Sequence, residues 1–278
     1  MKKIILIITF ALFLIGLCLN AQEISDSVML RICYTSQMRY SEELKELSQD
    51  EKILDIGSHS SHFYSRWAER NQDIHDSVFS RGGKLEDYYA AIDKSGFPHS
   101  KTRFNVFKNY PIKNILTYTV KNLRFFRYEE PMTTPKWEMI NGDTVIVGYH
   151  CKKAKTTFRG RTWIVWYTLD IPYRDGPWKL FDLPGLILKA NDTKGDFIFN
   201  CIGIEKGNMR PIVPRKVKYL KSTPEEIEKN ERLFLSDFDA YIAKMGFPKM
   251  QGFDAQGKPL VQKLRVPCLL EYRLKDKK

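Results

Sequence analysis

Residues 145–169 read Val-Ile-Val-Gly-Tyr-His-Cys-Lys-Lys-Ala-Lys-Thr-Thr-Phe-Arg-Gly-Arg-Thr-Trp-Ile-Val-Trp-Tyr-Thr-Leu, two β-rich runs flanking Arg159-Gly160. A two-residue turn at that pair makes the segment a hairpin. With Phe158 opposite Arg161, Thr156 falls opposite Trp163, Ala154 opposite Val165 and Lys153 opposite Trp166. Side chains alternate across a strand, so one face collects Ala154, Trp163, Val165, Tyr167 and Leu169. That is the expected core face. The other carries Lys153, Lys155, Ile164 and Trp166, where a lysine stem can lie over an indole.

A second hairpin is expected downstream, joining Gly185–Ala190 to Phe197–Ile204 across Asn191-Asp192-Thr193-Lys194-Gly195, all turn formers. It places Phe197, Phe199 and Cys201 on one face. A helix begins at Thr223, with Pro224 at its first position and Glu226 completing a capping box. Its apolar stripe, Ile227 through Phe234, Tyr241 and Met245, runs to Gly246 and must lie against a partner, expected to be a curved sheet. Upstream, Val28–Tyr40, Ile53–Gly57, Phe104–Tyr110, Ile115–Val120 and Leu123–Tyr128 read as strands. Ser65–Ser80 and Leu85–Asp93 have helical spacing. The expected fold class is mainly β (α+β): a curved antiparallel sheet or half-barrel packed on a C-terminal helix.

The chain has 278 residues, 43% of them hydrophobic, which is enough for a core and excludes a disordered tail. Its formal net charge is +12, of which Lys2 and Lys3 supply two. Those lysines open an apolar run from Ile4 to Leu19, broken only by Thr9 and Gly16 and ending Leu19-Asn20-Ala21, the pattern of a secretory signal peptide. At 16 residues the run is shorter than the roughly 20 a membrane span needs. Lipid attachment at Cys18 is disfavoured by the bulky Leu17. The expectation is a signal peptide at 1–21, one domain over 22–278, no transmembrane segment after cleavage, and an extracytoplasmic location, periplasmic or secreted. Cys33, Cys151, Cys201 and Cys268 lie far apart, unlike zinc ligands. They allow three disulfide pairings, or act as small apolar strand residues.

Between the hairpins, Pro172–Leu188 is apolar but punctuated by Asp175-Gly176-Pro177 and Pro184-Gly185. The last pair suits a type II turn with glycine at positive φ. Leaving Trp178, Leu180, Phe181 and Leu183 in water would expose a large apolar patch, so this loop is expected to fold back onto the sheet. Here the chain resembles the GLPGLI family of secreted bacterial proteins, whose motif stands as Asp182-Leu183-Pro184-Gly185-Leu186-Ile187, with Asp in place of the first Gly. Gly148–Ala154, Phe158–Trp163 and Asp175–Lys179 are similar to the family's central block. The resemblance implies an envelope protein of two-membrane bacteria and carries no established activity.

No catalytic signature is present. His59-Ser60-Ser61-His62, with Asp55 and His75, is a conceivable metal cluster, but in a strand the two histidines would point to opposite faces. There is neither a Gly-x-Ser-x-Gly elbow nor a cysteine-protease context. Glu129-Glu130 reads as a strand end and Glu225-Glu226 as helix N-terminal electrostatics rather than as a glycosidase pair. The sequence therefore points to no catalytic residue, no metal and no cofactor. The basic hairpin either meets anionic lipid headgroups or lipopolysaccharide or is simply a solvated face, and the compartment argues against nucleic acid. The reading is a non-catalytic binding or carrier module for a lipid or another apolar small molecule. Trp163, Trp178, Phe181, Leu183 and Leu186 are its expected ligand contacts. Lys153, Lys155, Arg159, Arg161 and Trp166 are the expected contacts to a partner or to headgroups. The alternatives are a subunit docking on an outer-membrane transporter or its assembly machinery, and an enzyme with an unfamiliar constellation.

Overall fold

The computed structural model describes residues 26–248 and 264–273, so the leader lies outside the described residues. Among these, twelve strands form one open, curved sheet. A first meander comprises β1 (Leu30–Met38), β2 (Ser48–Ile56) and β3 (Ser61–Ser65), then helices α1 (Arg66–Phe79) and α2 (Leu85–Ser95), then β4 (Phe104–Lys108), β5 (Ile115–Asn122) and β6 (Arg124–Pro131). A second comprises β7 (Glu138–Ile146), β8 (Tyr149–Phe158), β9 (Arg161–Thr168), β10 (Leu186–Asp192) and β11 (Phe197–Lys206). Antiparallel pairing of β1 with β11 joins the two. The free edges are β7 and the short β12 (Leu220–Lys221), which runs parallel to β6. Helices α3 (Pro224–Ser236) and α4 (Phe238–Lys244) follow.

The hairpin that opened the sequence reading forms in the expected register, Phe158 with Arg161 through Lys153 with Trp166. Arg159 and Gly160 have φ of 52° and 79°, the mirror-image turn whose twist matches the strands. The same device recurs at Val147 and Gly148 (φ 47° and 84°), so the run starting at Val145 is cut into the end of β7 and the start of β8. Ala154, Trp163, Val165 and Tyr167 are buried as expected, but Leu169 is 48% exposed because β9 ends at Thr168. The second hairpin also forms, with Ala190 opposite Phe199, and buries Phe197, Phe199 and Cys201 together.

The 172–188 stretch is folded in. Trp178 is 1% exposed and its ring lies 5.5 Å from that of Trp163, which continues to Phe199 at 6.3 Å and from there to Phe63 at 5.7 Å. Backbone bonds from Leu186 to Ile171 and from Ile187 to Asp175 hold the loop, and the Trp137 indole donates to the Phe181 carbonyl at 2.9 Å. The expected type II turn is corrected. Gly185 is absent from the positive-φ positions, which in this loop fall on Trp178 (54°) and Asp182 (75°). Glycine is required at 185 for another reason: a Cβ there would stand 1.9 Å from the Thr168 carbonyl oxygen.

Thr223 caps α3 and Glu226 completes the box, with Pro224 at the first turn. The helix expected to reach Met245 instead breaks at Asp237 (φ −143°), whose side chain accepts from the Ala240 amide and starts α4. An aspartate at this point satisfies the amides of a new helix better than the middle of an old one. The two helices lie against the concave side of the sheet, Ile227 in the main core and the Tyr241 hydroxyl donating to the Asn122 carbonyl at 2.6 Å. All four described cysteines are buried free thiols.

Candidate functional site

Trp163, Trp178, Leu183 and Leu186 are core residues and Phe181 is half-buried beside them. None of the five lines the main cavities of the described residues. Their side chains pack into the interior of the described residues. Of the residues expected to face outward, Lys153 does lie over the Trp166 ring at 5.4 Å, joined by Lys189 at 4.9 Å, and Lys155 remains half-exposed. Arg161 is turned inward, its guanidinium bonded to Asp192 (2.5 Å), Asp196 (3.1 Å) and the Leu269 carbonyl (2.7 Å). Arg159 reaches Glu130 at 3.2 Å. Both arginines bind the chain's own 264–273 segment and sheet, which takes them out of any solvent-facing patch.

That segment is fastened by a buried ionic cluster that no local pattern announces. Lys179 spends all three ammonium protons, on the Tyr128 hydroxyl (2.8 Å), Glu130 (2.9 Å) and Glu271 (2.6 Å). Arg273 bonds both carboxylates in turn. Burial opposes ionisation of Glu130, but Lys179 and the two arginines outweigh it and hold the carboxyl below its usual range. The neighbouring Glu231 goes the other way: burial, then the charge of Glu271, raises it to about 7.

The largest of the cavities described lies elsewhere, between β3 to β6, α1 and the 213–219 segment. It is a cleft of about 760 Å³. Helix α1 supplies one wall through Glu69, Asn71, Gln72 and His75, and the 213–219 segment supplies another through Arg215 and Tyr219. The floor follows from strand alternation. Phe104, Val106, Tyr118 and Val120 fill the core, so Asn105, Phe107, Thr119 and Lys121 turn outward. His62 lies flat between Phe107 (3.9 Å) and Tyr64 (4.4 Å). Its Nε2 sits 2.9 Å from Asn105 Oδ1, and since an amide oxygen only accepts, Nε2 carries the proton. Burial lowers the His62 pKa and so favours the neutral ring. His59 is exposed in the turn whose amides, from Ser58 to Ser60, wrap the Asp26 carboxylate, so it and His62 form no common site. Among the described residues no cluster of three metal-ligating side chains occurs.

Two of the cleft's cations are already engaged. Arg215 bridges Glu69 (2.8 Å), Asp73 (2.6 Å) and Asp76 (2.8 Å), tying its segment to α1. Lys121 donates to Gln72 Oε1 at 2.5 Å, and Gln72 in turn donates to Asp76 at 2.6 Å. The rest of the lining combines Arg103, Lys216 and His99 with neutral groups: amides, hydroxyls of Ser65, Ser100 and Thr119, and the half-buried rings of Tyr88, Phe125 and Tyr219. A second, smaller chamber of about 200 Å³ lies on the concave side between the sheet and α3, with mostly apolar walls.

With this geometry in view, comparison with known proteins is informative about fold. Residues 94–231 match the family model described as N-glycanase peptide, N-terminal domain. Two solved structures of PNGF-II, in space groups P21 and C2, are similar at 14% identity, with TM-scores of 0.50 and 0.47. Each alignment covers 74% of this chain and 34% of PNGF-II, so the chain spans about a third of the length of those structures. No curated protein matches the chain. At this identity the likeness is one of fold, a mostly β architecture.

Proposed function

We propose that this chain is a non-catalytic binding module of the bacterial envelope, GLPGLI-like and extracytoplasmic, that seats a neutral polyhydroxylated ligand, a saccharide, in the cleft under α1. The observation that carries the reading is the cleft's composition: planar amides and hydroxyls for sugar hydroxyls, partly exposed rings for the apolar faces of sugar rings, and two of its cations, Arg215 and Lys121, already paired or held by an amide, with Arg103 and Lys216 also in its lining. Two further points support it. The matching domain model bears the name of an N-glycanase. Asp182, which stands where the GLPGLI motif has its first glycine, has φ of 75°, a conformation glycine favours and aspartate tolerates. The apolar-ligand seat expected under the 172–188 loop is given up in this proposal because its side chains fill the core.

Calorimetric titration with hexasaccharides of glucose, mannose and N-acetylglucosamine tests the reading. At least one is expected to bind with Kd between about 10 μM and 1 mM. Gln72→Ala and Tyr219→Ala are each expected to weaken it about tenfold, the worth of one hydrogen bond or one ring contact, with the far-UV spectrum unchanged. Absence of binding by all three, or variants that bind like the parent, would overturn it. One observation favours docking through a sheet edge as a second reading: β7 is exposed along nearly its whole length, with Met139 and Val145 more than half in water. Crosslinking in cells to a single discrete adduct through β7 would support it.

A further inference from the structure

The chamber between the sheet and α3 carries a second inference, although it shares Thr102, Arg103, Phe104 and Val120 with the lining of the cleft. Its walls are rings and aliphatic chains: Phe104, Tyr118, Val120, Phe197, Phe234 and Leu235. The rest of its lining has the opposite character, because Lys101, Arg103 and Arg265 also border it and all three are exposed. Arg103 is the telling one. Its guanidinium lies 4.5 Å from the Phe234 ring centre; burial lowers its pKa, and the titratable groups acting on it are the phenols of Tyr40 and Tyr241 and the ammonium of Lys121. An apolar chamber bordered by cations is complementary to a molecule with an alkyl chain and a single negative head. The one acid on its wall, Glu231, accepts from the Tyr118 hydroxyl at 3.4 Å and is mostly neutral below pH about 7.

We propose that this chamber binds a single-chain anionic amphiphile, a medium-chain fatty carboxylate, with the chain among Tyr118, Phe197 and Phe234 and the carboxylate at Arg103 and Lys101. The chamber is small, about 200 Å³, so a single medium-length chain of about eight carbons is expected to saturate it.

The test is calorimetry on the full chain at about pH 6 with pentanoate, hexanoate, octanoate and dodecanoate, and with octanol as the uncharged control. Affinity is expected to rise about fourfold per added methylene up to about eight carbons and then to level off. Octanol is expected to bind about tenfold more weakly than octanoate. Arg103→Gln, a surface change, should erase the difference between octanoate and octanol. Leu235→Trp should fill the chamber and abolish both while the saccharide titration stays as in the parent. No binding of any carboxylate, a flat dependence on chain length, or equal affinity for octanol and octanoate in the parent would each overturn the proposal. So would an unchanged preference for octanoate in Arg103→Gln, which stands even if Leu235→Trp fails to fold.

Discussion

The Glu130→Gln substitution is expected to lower the free energy of unfolding by about 3–5 kcal/mol, the cost of removing one partner from a buried ionic cluster. The arithmetic of the cluster makes this the sensitive position. Three cations, Lys179, Arg159 and Arg273, converge on two carboxylates, Glu130 and Glu271. Without the Glu130 charge, three buried or half-buried cations share Glu271 alone. Lys179→Met leaves two arginines facing two carboxylates and is expected to cost less, although Lys179 is the more deeply buried. Urea denaturation of both variants checks the order, and a larger loss for Lys179→Met, or a loss under about 1 kcal/mol for Glu130→Gln, would contradict the account. The pH dependence has a definite sign. The Glu130 carboxyl titrates lower in the folded chain than in the unfolded one. Its contribution is therefore fully present above the unfolded value of about 4.3 and is lost as pH falls through the folded value. Glu130→Gln should flatten that acid limb.

Glu231→Gln is expected to do the reverse: to stabilise the chain above pH about 7 by about 1–3 kcal/mol. Burial, followed by the charge of Glu271, raises this carboxyl to about 7. Between the unfolded value near 4.3 and that folded value the native state holds a proton the unfolded chain has released, so stability falls as pH rises through the window and stays lower above it. A glutamine keeps the bond to the Tyr118 hydroxyl and removes the penalty. Unfolding free energies measured at about pH 4.5 and about pH 8 should differ less in the variant than in the parent, by that same 1–3 kcal/mol. An unchanged difference would mean that Glu231 is ionised at little cost, and the burial argument would fail.

These two residues also show where the sequence stops being legible. The Phe158–Arg161 hairpin and the Thr223 capping box are local devices, written within four residues, and both form as expected. The fold-back of 172–188 follows from apolar content alone, since water would not tolerate Trp178 and Leu183 on a free loop. The Glu130–Lys179–Glu271 cluster has no such signature: its members are 49 and 92 residues apart in pairs and meet only when β6, the loop and the C-terminal segment are assembled. A glutamate at a strand end reads as solvated until the third partner is placed. The same holds for Arg159 and Arg161, whose neighbours in sequence are Phe158, Gly160 and Thr162 and whose neighbours in space include carboxylates.

The cleft was invisible for a different reason. Its floor residues, Asn105, Thr119 and Lys121, are the outward members of strands whose inward members carried the pattern, and polar outward residues ordinarily mean a wet surface. What turns that surface into a site is α1 laid across it and Arg215 clamping the 213–219 segment to the helix. Both depend on topology. The break of the C-terminal helix at Asp237 belongs with these, because an aspartate inside an apolar stripe is equally compatible with a solvent-facing helix position.

The most direct measurement is hydrogen–deuterium exchange of the chain with and without the tightest-binding of the three hexasaccharides. Slowed exchange confined to α1, to residues 104–121 and to the 213–219 segment, with 178–188 unchanged, is the predicted result. Protection appearing on 178–188 instead, or nowhere, would show that the ligand seat is not the cleft under α1.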